Sequence, residues 1–221
     1  MYNIDTLKDL IARGYKYEYI FFWGNIQHTQ NIDQSCLSQM FEGYPFEPYP
    51  PFTLDDEGWN SEFSTAEHHM MYHKTKVFGD NASAELILKG TTEVIVEELP
   101  FTNMMQMDDT KTTYKTTYIT PKEAKALGRS LKNFCPEIWD KHKLGVVYRG
   151  NLAKFTQHPK LKEYLLSTGN KILVEASPYD KVWGIGLGKN DPRVYDPNLW
   201  LGQNLLGFIL MEVRKTIREF F

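Results

Sequence analysis

Pro121, Pro136 and Pro159 cut the chain beyond residue 120 into successive helical stretches, and this punctuation constrains the fold more than any other feature. Proline is accepted in the first turn of a helix and breaks its interior, so each of the three marks a boundary. Thr120-Pro-Lys-Glu123 places proline at the first helical position and glutamate two residues on. It predicts a helix that carries Leu127, Arg129 and Leu131 and ends before Pro136. A second helix is predicted from about Pro136 to Gln157, with Ile138, Trp139, Leu144, Val147, Leu152 and Phe155 as its apolar members. Pro159 ends it, and a short helix bearing Leu161, Tyr164, Leu165 and Leu166 stops at Gly169. The last helix, about 203–219, has Leu206, Ile209, Leu210, Val213 and Ile217 on one face.

The first half is read the same way. Residues 3–13 form a short helix stopped by Gly14, and Tyr17–Trp23 reads as a strand. Residues 42–60 hold four prolines and several acidic residues, which predicts a surface loop. Ser64-Thr-Ala-Glu67 reads as a capping box with Ser64 at the N-cap, opening a helix that Gly79 stops. Residues 91–119 are rich in β-branched and aromatic side chains and predict an extended excursion or hairpin, and Lys171-Ile-Leu-Val-Glu-Ala predicts a strand. The expected class is mainly α with minor β strands or a hairpin.

No Gly/Ser linker or internal repeat divides the 221 residues, so one domain over 1–221 is expected, with an insertion at about 91–119. Hydrophobic residues at 42% and aromatics at 14% supply a packed core. A formal net charge of −3 argues against coating long nucleic acid through its phosphates, but not against gripping a single nucleotide. Cys36 and Cys135 form no metal or redox spacing and suit a reduced compartment. The N-terminus lacks the regions of a signal peptide, and no window approaches about 18 uninterrupted apolar residues. A cytoplasmic monomer with no membrane contact is expected.

Candidate chemistry begins at Ser177-Pro-Tyr-Asp-Lys-Val-Trp-Gly-Ile-Gly-Leu, where Asp180 precedes Trp183 by three residues in a segment that follows a strand. A carboxylate beside an indole suits work on a flat base or a sugar cation. The alternative is a turn in which Asp180 caps a backbone amide and Trp183 fills the core. Glu67, Met71, Lys74 and Phe78 share a helical face, so Glu67 and Lys74 can look into one pocket, unless Glu67 merely completes the capping box. His69 and His73 could grip zinc from one face, but the order around Glu67 differs from helical zinc proteases and no third ligand is evident. No metal is therefore assigned. Lys74 and Arg129 could hold phosphate, and Trp139 and Trp183 could stack on a base, though Trp139 also fits an apolar helical stripe. Neither a P-loop nor a serine elbow occurs, and Gly184-Ile-Gly-Leu-Gly188 does not lead into a helix as a dinucleotide turn would.

Taken in order, the pieces resemble the NADAR superfamily, the YbiA-like proteins. They are Cys36-Leu-Ser-Gln-Met-Phe41, Ser64-Thr-Ala-Glu-His68 through Lys74, Leu127-Gly-Arg129, Trp139, Asn151-Leu-Ala-Lys-Phe-Thr-Gln157 and Leu165-Leu-Ser-Thr-Gly169. Leu173-Val-Glu175, Asp180-Lys-Val-Trp-Gly184, Gly202-Gln-Asn-Leu-Leu and Met211-Glu-Val-Arg214 complete the set. The resemblance implies a mainly α, YbiA-like single domain and an N-glycosidase needing no cofactor. Members hydrolyse the bond between ribose C1 and a base nitrogen. Some act on phosphoribosylamino-pyrimidine intermediates of riboflavin synthesis, and others release ADP-ribose from modified guanine in nucleic acid or nucleotides. It also implies catalytic roles for Glu67, Trp139, Asp180 and Trp183, and substrate contacts from Lys74, Arg129, Gly184 and Asn204. A non-catalytic module binding NAD or ADP-ribose is the alternative of another class. Three departures bear on substrate: an extra residue in Leu37-Ser-Gln-Met-Phe41, Gln203 where a lysine is common, and the 91–119 excursion.

Overall fold

The computed structural model describes residues 2–49, 62–98 and 110–221. Seven helices are found among them: α1 (Ile4–Ala12), α2 (Ala66–Val77), α3 (Asn81–Lys89), α4 (Pro121–Arg129), α5 (Pro136–Gln157), α6 (Pro159–Ser167) and α7 (Leu205–Phe220). Two small sheets accompany them. Strands β1 (Tyr19–Phe22) and β4 (Ile172–Glu175) pair in parallel, with Phe22 opposite Glu175. Strands β2 (Thr91–Glu98) and β3 (Thr110–Thr117) pair antiparallel. The fold is mainly α with minor β, as the pattern predicts. Residues 50–60 of the predicted loop and the middle of the 91–119 excursion lie outside the described residues.

Proline punctuation places α4, α5 and α6 at the positions it predicts, with Pro121, Pro136 and Pro159 in their first turns. At α4 the capping box forms in full between Thr120 and Glu123. This helix is shorter than expected and excludes Leu131. Ser130 closes it, its amide donating to Ala126 and Leu127 and its hydroxyl to Leu127. Helix α3 goes beyond the sequence reading. Asp80 accepts from the Ser83 amide at its start, and Gly90 ends it at φ 67°.

The capping box expected at Ser64 does not form. Thr65 is the N-cap of α2: it is extended at φ −150°, and its hydroxyl accepts from the His68 amide. Glu67 therefore sits at the second helical position, one residue too early to reach back to the cap. Its amide donates to the Gln39 carbonyl at 2.8 Å, and its carboxyl is left for other work.

Helices α2, α5 and α7 and strand β4 share one core, in which Phe22, Phe63, Phe155, Leu173, Phe208 and Ile209 are almost wholly buried. Burying large apolar side chains drives the assembly, at roughly 25 cal/mol per Å² removed from water. The short parallel pair lies against α7, so the C-terminal ends of β1 and β4 open together at one edge of the core.

Candidate active site

A cleft opens at that edge, where ligand sites of parallel strands commonly lie. It has two lobes that share Glu67, Lys125, Arg129, Asp180 and Trp183. The first, of about 320 Å³, runs over the strand ends past Phe22, Trp23, Gln39 and Glu175. The second, of about 420 Å³, lies between α2, α4 and α5 and adds Lys74, Phe134, Trp139 and Lys143. Both volumes fall in the range of small-molecule pockets.

Three buried acceptors without a hydrogen-bond partner line the first lobe: Gln39 Oε1, Glu67 Oε1 and Glu175 Oε2. Buried polar atoms are nearly always paired, so three orphans on one wall mark a place built for a ligand. Their supports are fixed. Gln39 Nε2 donates to Asn151 Oδ1 at 3.1 Å, and Asn151 Nδ2 donates to the Val147 carbonyl on α5. Burial raises the Glu67 carboxyl to about 7; Lys125, Arg129 and Lys74 oppose the rise and Asp180 adds to it. Burial, reinforced by the Asp180 charge, lifts Glu175 further, to about 8.

Asp180 does two things at once. Its Oδ1 accepts from the amides of Val182 at 2.9 Å and Trp183 at 2.8 Å, the turn chemistry open to an aspartate side chain. The same half-buried residue lines both lobes. Trp183 packs its partly buried indole against the core at the junction of the lobes. Trp139 is nearly buried and faces only the second lobe.

The cations divide by setting. Lys74 is buried, donates to the Gly128 carbonyl at 2.6 Å, and sits 4.3 Å from the Phe134 ring centroid and 5.9 Å from that of Trp139. Burial lowers its ammonium below the usual lysine range, and the nearby Arg129 charge adds to this while Glu67 opposes it. It joins α2 to α4 as well as lining the cleft. Arg129 is exposed at the mouth, and Lys125 is half-buried beside it.

The structure thus brings Glu67, Lys74, Arg129, Trp139, Asp180 and Trp183 to one cleft. It does not bring Asn204 or Gly184. Asn204 is fully buried; its Oδ1 accepts from the Glu175 amide at 3.0 Å, and its Nδ2 donates to the Leu173 carbonyl at 2.9 Å. Both ends of its amide thus bond β4, and the residue clamps the strand. Gly184 is buried where an added Cβ would stand 2.7 Å from the Glu175 carbonyl oxygen, so it serves close backbone packing. His69 packs its buried ring edge-on against Phe63. Among the described residues no group of three or more His, Cys, Asp or Glu could hold a metal ion, and no helix is long and apolar enough to cross a membrane.

Sequence reasoning missed Glu175, Gln39 and Lys125 as cleft residues. The available signal for Glu175 was a lone carboxylate ending an otherwise apolar strand, Ile172-Leu-Val-Glu175.

Helices around a small parallel pair, with a carboxyl-lined cleft at the strand ends, define the class, and comparison with known proteins agrees: this chain belongs to the NADAR family. The NADAR domain profile matches residues 99–218. Over 204 residues the chain is 36% identical to N-glycosidase R617 of Acanthamoeba polyphaga mimivirus, spanning 91% of this chain and 98% of that protein. It is 31% identical to the Zea mays chloroplastic riboflavin biosynthesis protein PYRR over 176 residues, 78% of this chain but 22% of that one. The NMR structure of Escherichia coli YbiA shares the fold, with a TM-score of 0.59 and 22% identity over 93% of this chain and 88% of YbiA.

Proposed function

We propose that this protein is an N-glycosidase that hydrolyses the ribose C1–base nitrogen bond of ADP-ribosylated guanine, in nucleic acid or as a nucleotide, and releases ADP-ribose. The observation that carries the reading is a row of buried acceptors, two of them on carboxyls, running into a lobe lined by Lys74, Lys125 and Arg129. The first wall suits a base and a developing sugar cation, and the second suits phosphate. The name of the mimiviral relative supports the same bond class. Two cleft-lining carboxyls whose proton affinity is raised by burial also favour catalysis over a passive ADP-ribose reader, which needs stacking and cations only.

The lobes order the substrate. A base placed between Trp139 and Trp183 would occupy the ground that phosphate needs among Lys74, Lys125 and Arg129. We therefore put phosphate in the second lobe, ribose at the junction by Glu67, Asp180 and Trp183, and the base in the first. Asp180 faces C1 and stabilises its positive charge as the nitrogen leaves. Glu67 orients the attacking water and, when ionised, takes its proton. Trp183 walls off solvent, and Trp139 floors the phosphate lobe beneath Lys74.

The test is to incubate the protein with ADP-ribosylated guanine DNA, the ADP-ribosylated mononucleotide and phosphoribosylamino-pyrimidines, and to separate free base from sugar phosphate. Release from the guanine substrates is expected. Asp180→Asn keeps the Oδ1 acceptor that builds the turn while removing the charge, so it should fold normally and lose about 100-fold or more in turnover. Near-wild-type turnover by this variant would refute the role of Asp180. The similarity to PYRR favours a second reading, clearance of riboflavin intermediates, which cleavage of the pyrimidine substrate alone would establish.

A further inference from the structure

We propose that Glu175 is the acid that hands its proton to the departing base nitrogen, a role separate from those of Glu67 and Asp180. The inference rests on the N-glycosidase reading and assigns a residue within it. Glu67 and Asp180 line both lobes and so stand where the ribose lies, whereas Glu175 lines only the first. The end of β4 fixes it there. Its amide is held by Asn204 Oδ1 at 3.0 Å, its carbonyl accepts from the Ile185 amide at 3.0 Å, and its neighbour across the pair is Phe22. Its Oε2 is buried and unpartnered in the lobe assigned to the base. Gln39 Oε1 is a further unpartnered acceptor on that wall, so the base it fits presents an N–H donor to it.

The charges bearing on Glu175 come from three other elements: Glu67 of α2, Lys125 of α4 and Asp180 of the loop after β4. With burial, the two carboxylates hold a proton on Glu175 against the pull of Lys125, up to a pH of about 8. At neutral pH the side chain is thus a carboxylic acid with a proton to give.

The C1–nitrogen bond breaks and its electron pair stays with nitrogen, which takes the Glu175 proton. Water adds its oxygen to C1, and its proton passes to Glu67. Glu67 returns that proton to solvent, and Glu175 is reprotonated from solvent for the next turnover.

The experiment compares wild type, Glu175→Gln and Glu175→Asp on two substrates: the best N-riboside of the panel above, and 4-nitrophenyl ribofuranoside 5-phosphate, whose leaving group departs without a proton. Glu175→Gln is expected to lose about 100-fold or more on the N-riboside and to stay within about threefold of wild type on the nitrophenyl compound. Glu175→Asp should recover part of the N-riboside rate. The wild-type fall in N-riboside cleavage above pH 8 should be missing from the residual rate of Glu175→Gln. Equal losses on both substrates, or none on either, would overturn the acid role while leaving the N-glycosidase intact. Wild type that cleaves neither substrate would sink the N-glycosidase reading, and Glu175's role would go with it. Matching melting temperatures for the three proteins exclude a folding defect as the cause.

Discussion

Glu67 carries a cost that can be measured without any substrate. Its carboxyl rises from 4.5 to about 7 on folding because burial disfavours the charged form. A raised value means that the fold binds the proton more tightly than the unfolded chain does. The stabilisation is therefore complete below pH 4.5 and is lost as pH rises through about 7. Above that, wild type keeps a buried charge at a cost on the order of 3 kcal/mol. Glu67→Gln should thus be more stable than wild type at pH 8 and close to it at pH 5, measured by urea midpoints. Parallel curves for the two proteins across this range would contradict the burial of that charge. A residue that destabilises the working form of the protein fits a site kept for chemistry. How far such residues could be read from the sequence depends on how local their causes are. The turn at Asp180 is set by its own next three residues, so both its capping and its place on a loop were legible. Glu67 was legible as a helix-face carboxylate, but its place beside the cap was misread by one residue. Glu175 was legible as a lone carboxylate ending an apolar strand, but not as a cleft residue. A four-residue strand is too short for alternation to say which way its last side chain points, and its burial comes from elements far along the chain.

Among the elements, the boundary between β4 and α7 is built around Asn204, the residue expected to touch substrate. Asn204 adopts a left-handed conformation at φ 53°, which asparagine tolerates better than most residues. That turn lets one side-chain amide satisfy both the Glu175 amide and the Leu173 carbonyl. Asn204→Ala should strand both backbone groups and cost roughly 2–4 kcal/mol in urea unfolding. Asn204→Gly keeps the backbone easy but loses the same bonds, so it should recover only part of that loss. Full recovery by glycine would mean that conformation, not the amide clamp, is what the site needs. The helices were the legible elements because proline and capping chemistry are written beside them. Pairing of β1 with β4 was not, since strands so distant in sequence carry no local signal that names their partner.

For the whole molecule, the formal charge of −3 conceals how its cations are placed. Lys74, Lys125, Arg129 and Lys181 all face the second lobe, while Lys143 is neutralised there by Asp140 at 2.6 Å. A lobe in which these cations outnumber the carboxyls of Glu67, Asp140 and Asp180, within a mildly acidic protein, favours anions locally without coating long nucleic acid. If the second lobe takes phosphate as proposed, the number it accepts separates the two proposed substrate classes. If it is built for a diphosphate, ADP-ribose should bind markedly more tightly than ribose 5-phosphate by calorimetry. Arg129→Ala and Lys125→Ala should each weaken ADP-ribose by roughly tenfold, since one charge-assisted contact contributes about 1.4 kcal/mol. Raising salt from 50 to 500 mM should narrow the gap between the two ligands, because Arg129 is exposed at the mouth. Lys74 is the poorer probe, as its ammonium also ties α2 to α4 through the Gly128 carbonyl. Equal affinity for the two ligands, with Arg129→Ala affecting both alike, would mean a single phosphate site. The phosphoribosylamino-pyrimidine would then be the better substrate, and the space beyond the ribose would have no diphosphate to hold.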